Sequence, residues 1–154
     1  MKRTCVLMTL ILALALPLVA EAGIYGLWYG QSKAEVLAKL QPLEFEELAE
    51  RNNVFASEKE DYYQEIELYF GASDSLKAWL VAIDCSNDDD NEIEDIFMEQ
   101  LEGLHGYNYD VSEWGMECYW KLGEKQYLNA GWDYDLEWYL IYYGDYRYEE
   151  YAPY

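Results

Sequence analysis

Histidine, proline, cysteine and basic residues are all scarce in this 154-residue chain, which has one His, three Pro, three Cys and 10 Lys and Arg against 31 Asp and Glu. Each scarcity excludes something. A single histidine, His105, cannot build a His-based zinc site. A Ser-His-Asp triad would have to use it, and no serine stands in a Gly-x-Ser-x-Gly elbow. Cys5, Cys85 and Cys118 form no Cys-x-x-Cys pair, which argues against dithiol redox catalysis. The formal net charge of −21 repels nucleic acid and anionic lipid. Three prolines leave no room for a Pro-rich spacer.

Long apolar runs are also missing, with one informative exception at the N-terminus. Lys2 and Arg3 precede an apolar run from Cys5 to Leu16, followed by Pro17 and by Ala20-Glu21-Ala22 before Gly23. A basic start, an apolar core and a small-x-small site make a signal peptide, cut after Ala22. The stretch Cys5–Ala20 falls short of the ~20 residues of a spanning helix, so no membrane span is expected after cleavage. Cys5 precedes the apolar run, which argues against a lipid anchor. The expected location is secreted or periplasmic. The domain expectation is 1–22 as the leader and 23–154 as one acidic, aromatic-rich domain with a single core.

Aromatic residues are abundant, with 17 Tyr, 6 Trp and 4 Phe. They supply apolar area that an acidic disordered chain lacks. After the leader two cysteines remain. In an oxidising compartment Cys85 and Cys118 read as one disulfide, the alternative being two buried free thiols.

Periodicity then places the elements. Ser32 with Glu35 three residues on is a capping box, and Val36, Leu37 and Leu40 continue it as a helix that stops before Pro42. Residues 43–56 read equally as strand or helix. Ile66, Leu68 and Phe70 alternate within Tyr63–Phe70, and Trp79, Val81, Ile83 and Cys85 share a face in the next run, so the two form an antiparallel hairpin. Asn91 with Glu94 opens a second helix, whose Ile93, Phe97, Leu101 and Leu104 are spaced to face a core. Three strands follow, with inward sets Met116, Cys118, Trp120, Leu122, then Leu128, Ala130, Trp132, then Leu136, Trp138, Leu140. The expected fold class is α+β: an antiparallel sheet of about five to six strands with two helices packed on one face. The order helix, strands, helix, strands hints at a duplicated unit.

Two features bear on chemistry. The acidic run from Asn87 to Asp95 is the metal candidate, with Asp88, Asp90, Glu92 and Asp95 as hard oxygen ligands suited to calcium. It departs from an EF-hand loop begun at Asp84, because Asp89 stands at the turn glycine and Asp95 at the bidentate glutamate. Otherwise the run is a solvated loop whose acids favour a helix N-terminus. No other cofactor and no catalytic residue is expected, and the chain reads as non-enzymatic.

The second feature is the outward face of the sheet. With the inward sets above, Tyr63, Glu65, Glu67, Tyr69, Glu117, Tyr119, Tyr127, Glu137, Tyr139 and Tyr143 point outward. Tyrosine offers contact area at low entropy cost, and its ring faces attract cations. The expected function is a binding or inhibitory module that engages a protein partner, a basic one given the charge. The alternatives are a carbohydrate-binding or carbohydrate-acting protein and a calcium-stabilised structural protein.

The stretch Gly26-Leu27-Trp28-Tyr29-Gly30-Gln31-Ser32-Lys33-Ala34-Glu35-Val36 resembles the entry motif of small exported bacterial proteins, the SmpA/OmlA-type lipoproteins and the beta-lactamase-inhibitor-like family. In both, a glycine precedes a Ser/Thr-capped helix ending in a Glu/Gln-Val step. Gln31 stands where a methionine is common. The resemblance implies a helix pair against an antiparallel sheet and a role in binding other proteins.

Overall fold

The computed structural model describes residues 22–86, 92–113, 115 and 117–151. Ser32 caps α1 (Lys33–Leu40): its side chain accepts from the Glu35 N–H, and the Glu35 carboxylate accepts in return from the Ser32 N–H at 2.8 Å. Both donors of the reciprocal box are thereby satisfied, which is why so short a helix starts where it does. Val36 and Leu40 are buried beneath it, and Pro42 ends it in a 3-10 turn, Gln41–Leu43.

Four strands follow: β1 (Glu46–Glu47), β2 (Val54–Glu58), β3 (Tyr63–Phe70) and β4 (Leu76–Asp84). Then come α2 (Glu92–His105) and four more: β5 (Asp110–Val111), β6 (Glu117–Lys121), β7 (Gln126–Asp133) and β8 (Trp138–Asp145). All eight strands join one sheet in the order β1-β2-β3-β4-β8-β7-β6-β5, each pair antiparallel. Each half of the chain is thus one helix and one four-strand meander, and the halves meet where β4 pairs with β8. The two edges are two-residue strands carrying Glu46, Glu47 and Asp110, short and charged enough to discourage pairing with another chain.

This architecture corrects the expected one. The sheet has eight strands instead of five to six, and two helices of 8 and 14 residues make the protein mostly β instead of α+β. The stretch read as ambiguous, 43–56, turns back on itself as β1 and β2. Two-residue edge strands carry too little alternation to be seen in sequence.

Register aligns the inward residues into rows. Ile66, Val81, Ile141, Ala130 and Cys118 lie across one row, and Leu68, Trp79, Tyr143, Leu128 and Trp120 across the next. These join Val36 and Leu40 of α1 and Ile93, Phe97 and Leu101 of α2 in a single core. Both helices therefore cover the same, inner face. Trp79 and Tyr143 stack at 4.3 Å in the middle of that core, both fully buried. Leu104, expected in the core, is 46% exposed. Glu94, Met98 and His105 are half-buried, so the buried sector of α2 is centred near Leu101. Leu104 then falls at its rim, on the side of exposed Ile96.

Candidate functional site

Among the described residues no α-helix covers the outer face of the sheet. Reading across the strands, one row runs Glu58, Tyr63, Asp84, Trp138 and Asp133. The next runs Ala56, Glu65, Ala82, Leu140, Gly131 and Glu117. A third runs Val54, Glu67, Leu80, Tyr142, Asn129 and Tyr119. Leu80, Trp138 and Leu140 remain half-exposed at the centre, with carboxylates on both flanks. Between Glu65 and Glu117 the second row crosses Ala82, Leu140 and Gly131 over four strand spacings, roughly 19 Å.

Local hydrogen bonds hold the flank at β3. Tyr63 stacks edge-on against Trp138, and its hydroxyl donates to Glu65 Oε1 at 2.9 Å. Burial, and then that bond to a carboxylate, push the Tyr63 phenol up to about 12. Arg51, from the β1–β2 loop, reaches over the same strand and places Nη1 at 2.5 Å from Glu65 Oε2 and Nη2 at 3.7 Å from Glu67 Oε2.

At the opposite end the face is a cluster of tyrosines. Tyr119 stacks on Tyr127 at 5.8 Å, Tyr127 stacks on Tyr146 at 4.6 Å, and Tyr142 meets Tyr127 edge-on at 5.9 Å. The hydroxyls of Tyr119 and Tyr146 are hydrogen-bonded to each other. Desolvation raises the phenol pKa values of Tyr119 and Tyr142. Beyond Tyr146, Arg147 holds Asp145 through Nε at 2.9 Å and Nη2 at 2.5 Å, and this bonding lowers the Asp145 pKa. The Lys77 ammonium lies 4.9 Å from the centre of the Tyr148 ring. The described residues after β8 therefore fold back over the tyrosine end of the face.

Seven expected face residues do point outward: Tyr63, Glu65, Glu67, Tyr69, Glu117, Tyr119 and Tyr127, each lying opposite outward partners in register. Tyr139 and Tyr143 do not. Both are buried in the core at 1% and 0% exposure, while Trp138, Leu140 and Tyr142 take the outer positions. The phase of β8 was misread because the run Trp138-Tyr139-Leu140-Ile141-Tyr142-Tyr143 is apolar or aromatic at every position and alternates nowhere. Glu137 is not on the sheet face either. It is exposed in the β7–β8 turn with φ at 58°.

No family model, curated protein or solved structure matches this chain. The entry motif therefore rests on its own residues, and the site on its geometry.

The expected disulfide between Cys85 and Cys118 is not formed: Cys85 is buried, Cys118 is half-buried, and the two are not bonded to each other. Both sit on the inner side, but Cys85 ends β4 and Cys118 lies on β6, with β8 and β7 between them. Three strand spacings, about 14 Å, are twice the reach of a disulfide. Burial raises the Cys118 thiol pKa, so it holds its proton. Of the calcium candidates, Asp88 and Asp90 lie outside the described residues, as does Asn91. Glu92 and Asp95 stand in the first turn of α2. Among the described residues no three His, Cys, Asp or Glu side chains converge as a metal site.

His105 is tied into the core. Its Nε2 is 2.8 Å from the Tyr143 hydroxyl, which also accepts the Ile24 N–H at 3.0 Å. Either partner can donate in the His105–Tyr143 bond, according to which imidazole nitrogen carries the proton. An apolar groove of about 390 Å³ lies away from the outer face, between α1 and Phe45 and Phe55, and a cleft of about 190 Å³ lined by Glu58, Lys59, Glu60, Asp61, Tyr63 and Asp84 adjoins the first row of that face. Among the described residues no helix is long and apolar enough to cross a membrane.

Sequence reasoning missed the apolar centre of the outer face, Leu80, Trp138 and Leu140. The one signal available was Gly144, a glycine closing a tyrosine-rich strand, which marks a place where a ring lies over backbone.

Proposed function

We propose that this chain is an exported, non-enzymatic binding module whose outer sheet face engages a basic protein. One observation carries the reading: among the described residues both α-helices cover the inner face, and the outer face presents half-buried Leu80, Trp138 and Leu140 between Glu65 and Glu67 on one flank and Glu117 on the other. An apolar centre with a polar rim is the anatomy of a protein interface. The acidic rim on a chain of net charge −21 selects a cationic partner and steers its approach. Tyr63 and Tyr119 supply rigid contact area beside it. The entry motif resemblance points the same way, toward exported proteins that bind other proteins.

The test uses the protein as bait in an extract of exported proteins, with the Tyr63→Ser/Tyr119→Ser double variant as its control. Both side chains are half-exposed on the outer face, so circular dichroism of the variant is expected to match the parent. A basic protein retained by the parent and lost by the variant supports the reading. The same proteins retained by both would remove this face from the function.

A further inference from the structure

Glu65 and Glu67 are already occupied by a cation of the chain itself. The loop that carries Arg51 is closed by backbone bonds from Arg51 N–H to the Leu48 carbonyl at 3.1 Å and from Val54 N–H to the Arg51 carbonyl at 3.3 Å. This hairpin end projects the side chain over β3, where the two guanidinium nitrogens face two carboxylates spaced i, i+2 on one side of the strand. Tyr63 completes the arrangement by donating to the second oxygen of Glu65. A planar fork can address both carboxylates at once, whereas an ammonium is a single point charge. The pair is not sealed: the Arg51 side chain is 50% exposed, and those of Glu65 and Glu67 are 16% and 34% exposed. A partly exposed ion pair of this kind contributes little to stability, so releasing Arg51 costs little.

We propose that Arg51 is a self-docked stand-in for an arginine of the partner. Engagement then proceeds by exchange: Arg51 leaves Glu65 and Glu67, and the guanidinium of a basic protein takes its place on β3. Two consequences follow. The face prefers arginine over lysine at this position, because the fork geometry is built into the two carboxylates and Tyr63. The free protein also carries an internal competitor, which lowers its affinity for every cationic segment and disfavours those that cannot span both acids. This inference rests on the basic-partner reading above and adds the chemistry of the anchor.

The experiment measures binding of fluorescein-labelled octa-arginine and octa-lysine peptides by anisotropy. It compares the parent, Arg51→Ala, Arg51→Lys, Lys125→Ala and the Glu65→Gln/Glu67→Gln double variant. Lys125 is an exposed cation in the β6–β7 turn and controls for net charge. Arg51→Lys keeps the charge and loses the fork. Arg51→Ala is expected to bind octa-arginine about 1.5- to five-fold tighter than Lys125→Ala does, the range set by an exposed pair. Arg51→Lys should tighten in the same direction, octa-lysine should gain less, and the double variant should be the weakest binder of octa-arginine. Equal affinities for Arg51→Ala and Lys125→Ala, with the parent binding octa-arginine, would overturn the exchange alone. No binding of either peptide by the parent or any variant would overturn the basic-partner reading and the exchange with it.

Discussion

The ring of Tyr127 lies across the backbone of Gly144 on the outer face. A Cβ built on Gly144 would collide with that ring and stand 2.6 Å from Cε1 of Tyr142. Only hydrogen fits there, and the exchange of a side chain for an aromatic cover lets Tyr119, Tyr127, Tyr142 and Tyr146 close into one cluster. Tyr29 adds a tie from the other side of the sheet, its hydroxyl bonding the carbonyls of Tyr127 at 3.1 Å and Gly144 at 2.8 Å.

Gly144→Ala should therefore be costly out of proportion to one methyl group. The rings cannot yield without unstacking, and overpacking of this kind costs about 1–3 kcal/mol. A lowered thermal midpoint with a weakened near-ultraviolet tyrosine signal is expected. An unchanged near-ultraviolet spectrum would mean that the cluster does not depend on this contact.

Local chemistry was legible in the sequence, and choices between equivalent faces were not. The Ser32–Glu35 box is complete within four residues, so its outcome needed no tertiary information. Ile66 and Leu68 alternate with Glu65 and Glu67, and β3 has the phase that this pattern dictates. The Trp138–Tyr143 run offers no polar residue to mark the wet side. Its phase was settled by pairing with β4 and β7 on either side, which is long-range information. The same error moved Tyr139 and Tyr143 onto the candidate face. The cysteines failed for a related reason: matching inward parity shows that two residues share a face and says nothing of how many strands separate them.

Both thiols should be countable. Intact mass should be the same before and after reduction, and a thiol reagent should modify both Cys85 and Cys118 in denaturant without reductant. In the folded protein the reaction should be slow, because Cys85 is buried and Cys118 holds its proton through burial. A mass increase of two hydrogens on reduction would show a bridge, and with it a rearranged sheet.

Glu137 sits at φ 58°, a region that costs a side-chain-bearing residue about 1–2 kcal/mol relative to glycine. Part of that gain is offset by the greater freedom glycine gives the unfolded chain. Glu137→Gly is thus expected to stabilise by about 0.5–1 kcal/mol, read as a raised denaturation midpoint. Its position in the turn also predicts unchanged affinity for a basic partner, in contrast to substitutions at Glu65 or Glu67. Loss of binding on Glu137→Gly would place the interface at the β7–β8 turn instead.

His105 should make the fold acid-sensitive through its burial. Burial lowers its pKa in the folded chain, where the neutral imidazole bonds the Tyr143 hydroxyl. The unfolded chain binds a proton near pH 6.5. Between that value and the lower folded one, the unfolded state carries the extra proton. The stabilisation from neutral His105 is therefore complete above about pH 6.5 and declines as the pH falls. Acid also relieves repulsion among the many carboxylates, so the parent alone gives a mixed response. His105→Gln keeps a hydrogen-bonding group for Tyr143 and removes the titration. The gap in thermal midpoint between parent and His105→Gln should shift toward the variant as the pH is lowered from 7.5 to 5. A gap independent of pH would mean that the imidazole titrates alike in both states and that burial does not hold it neutral.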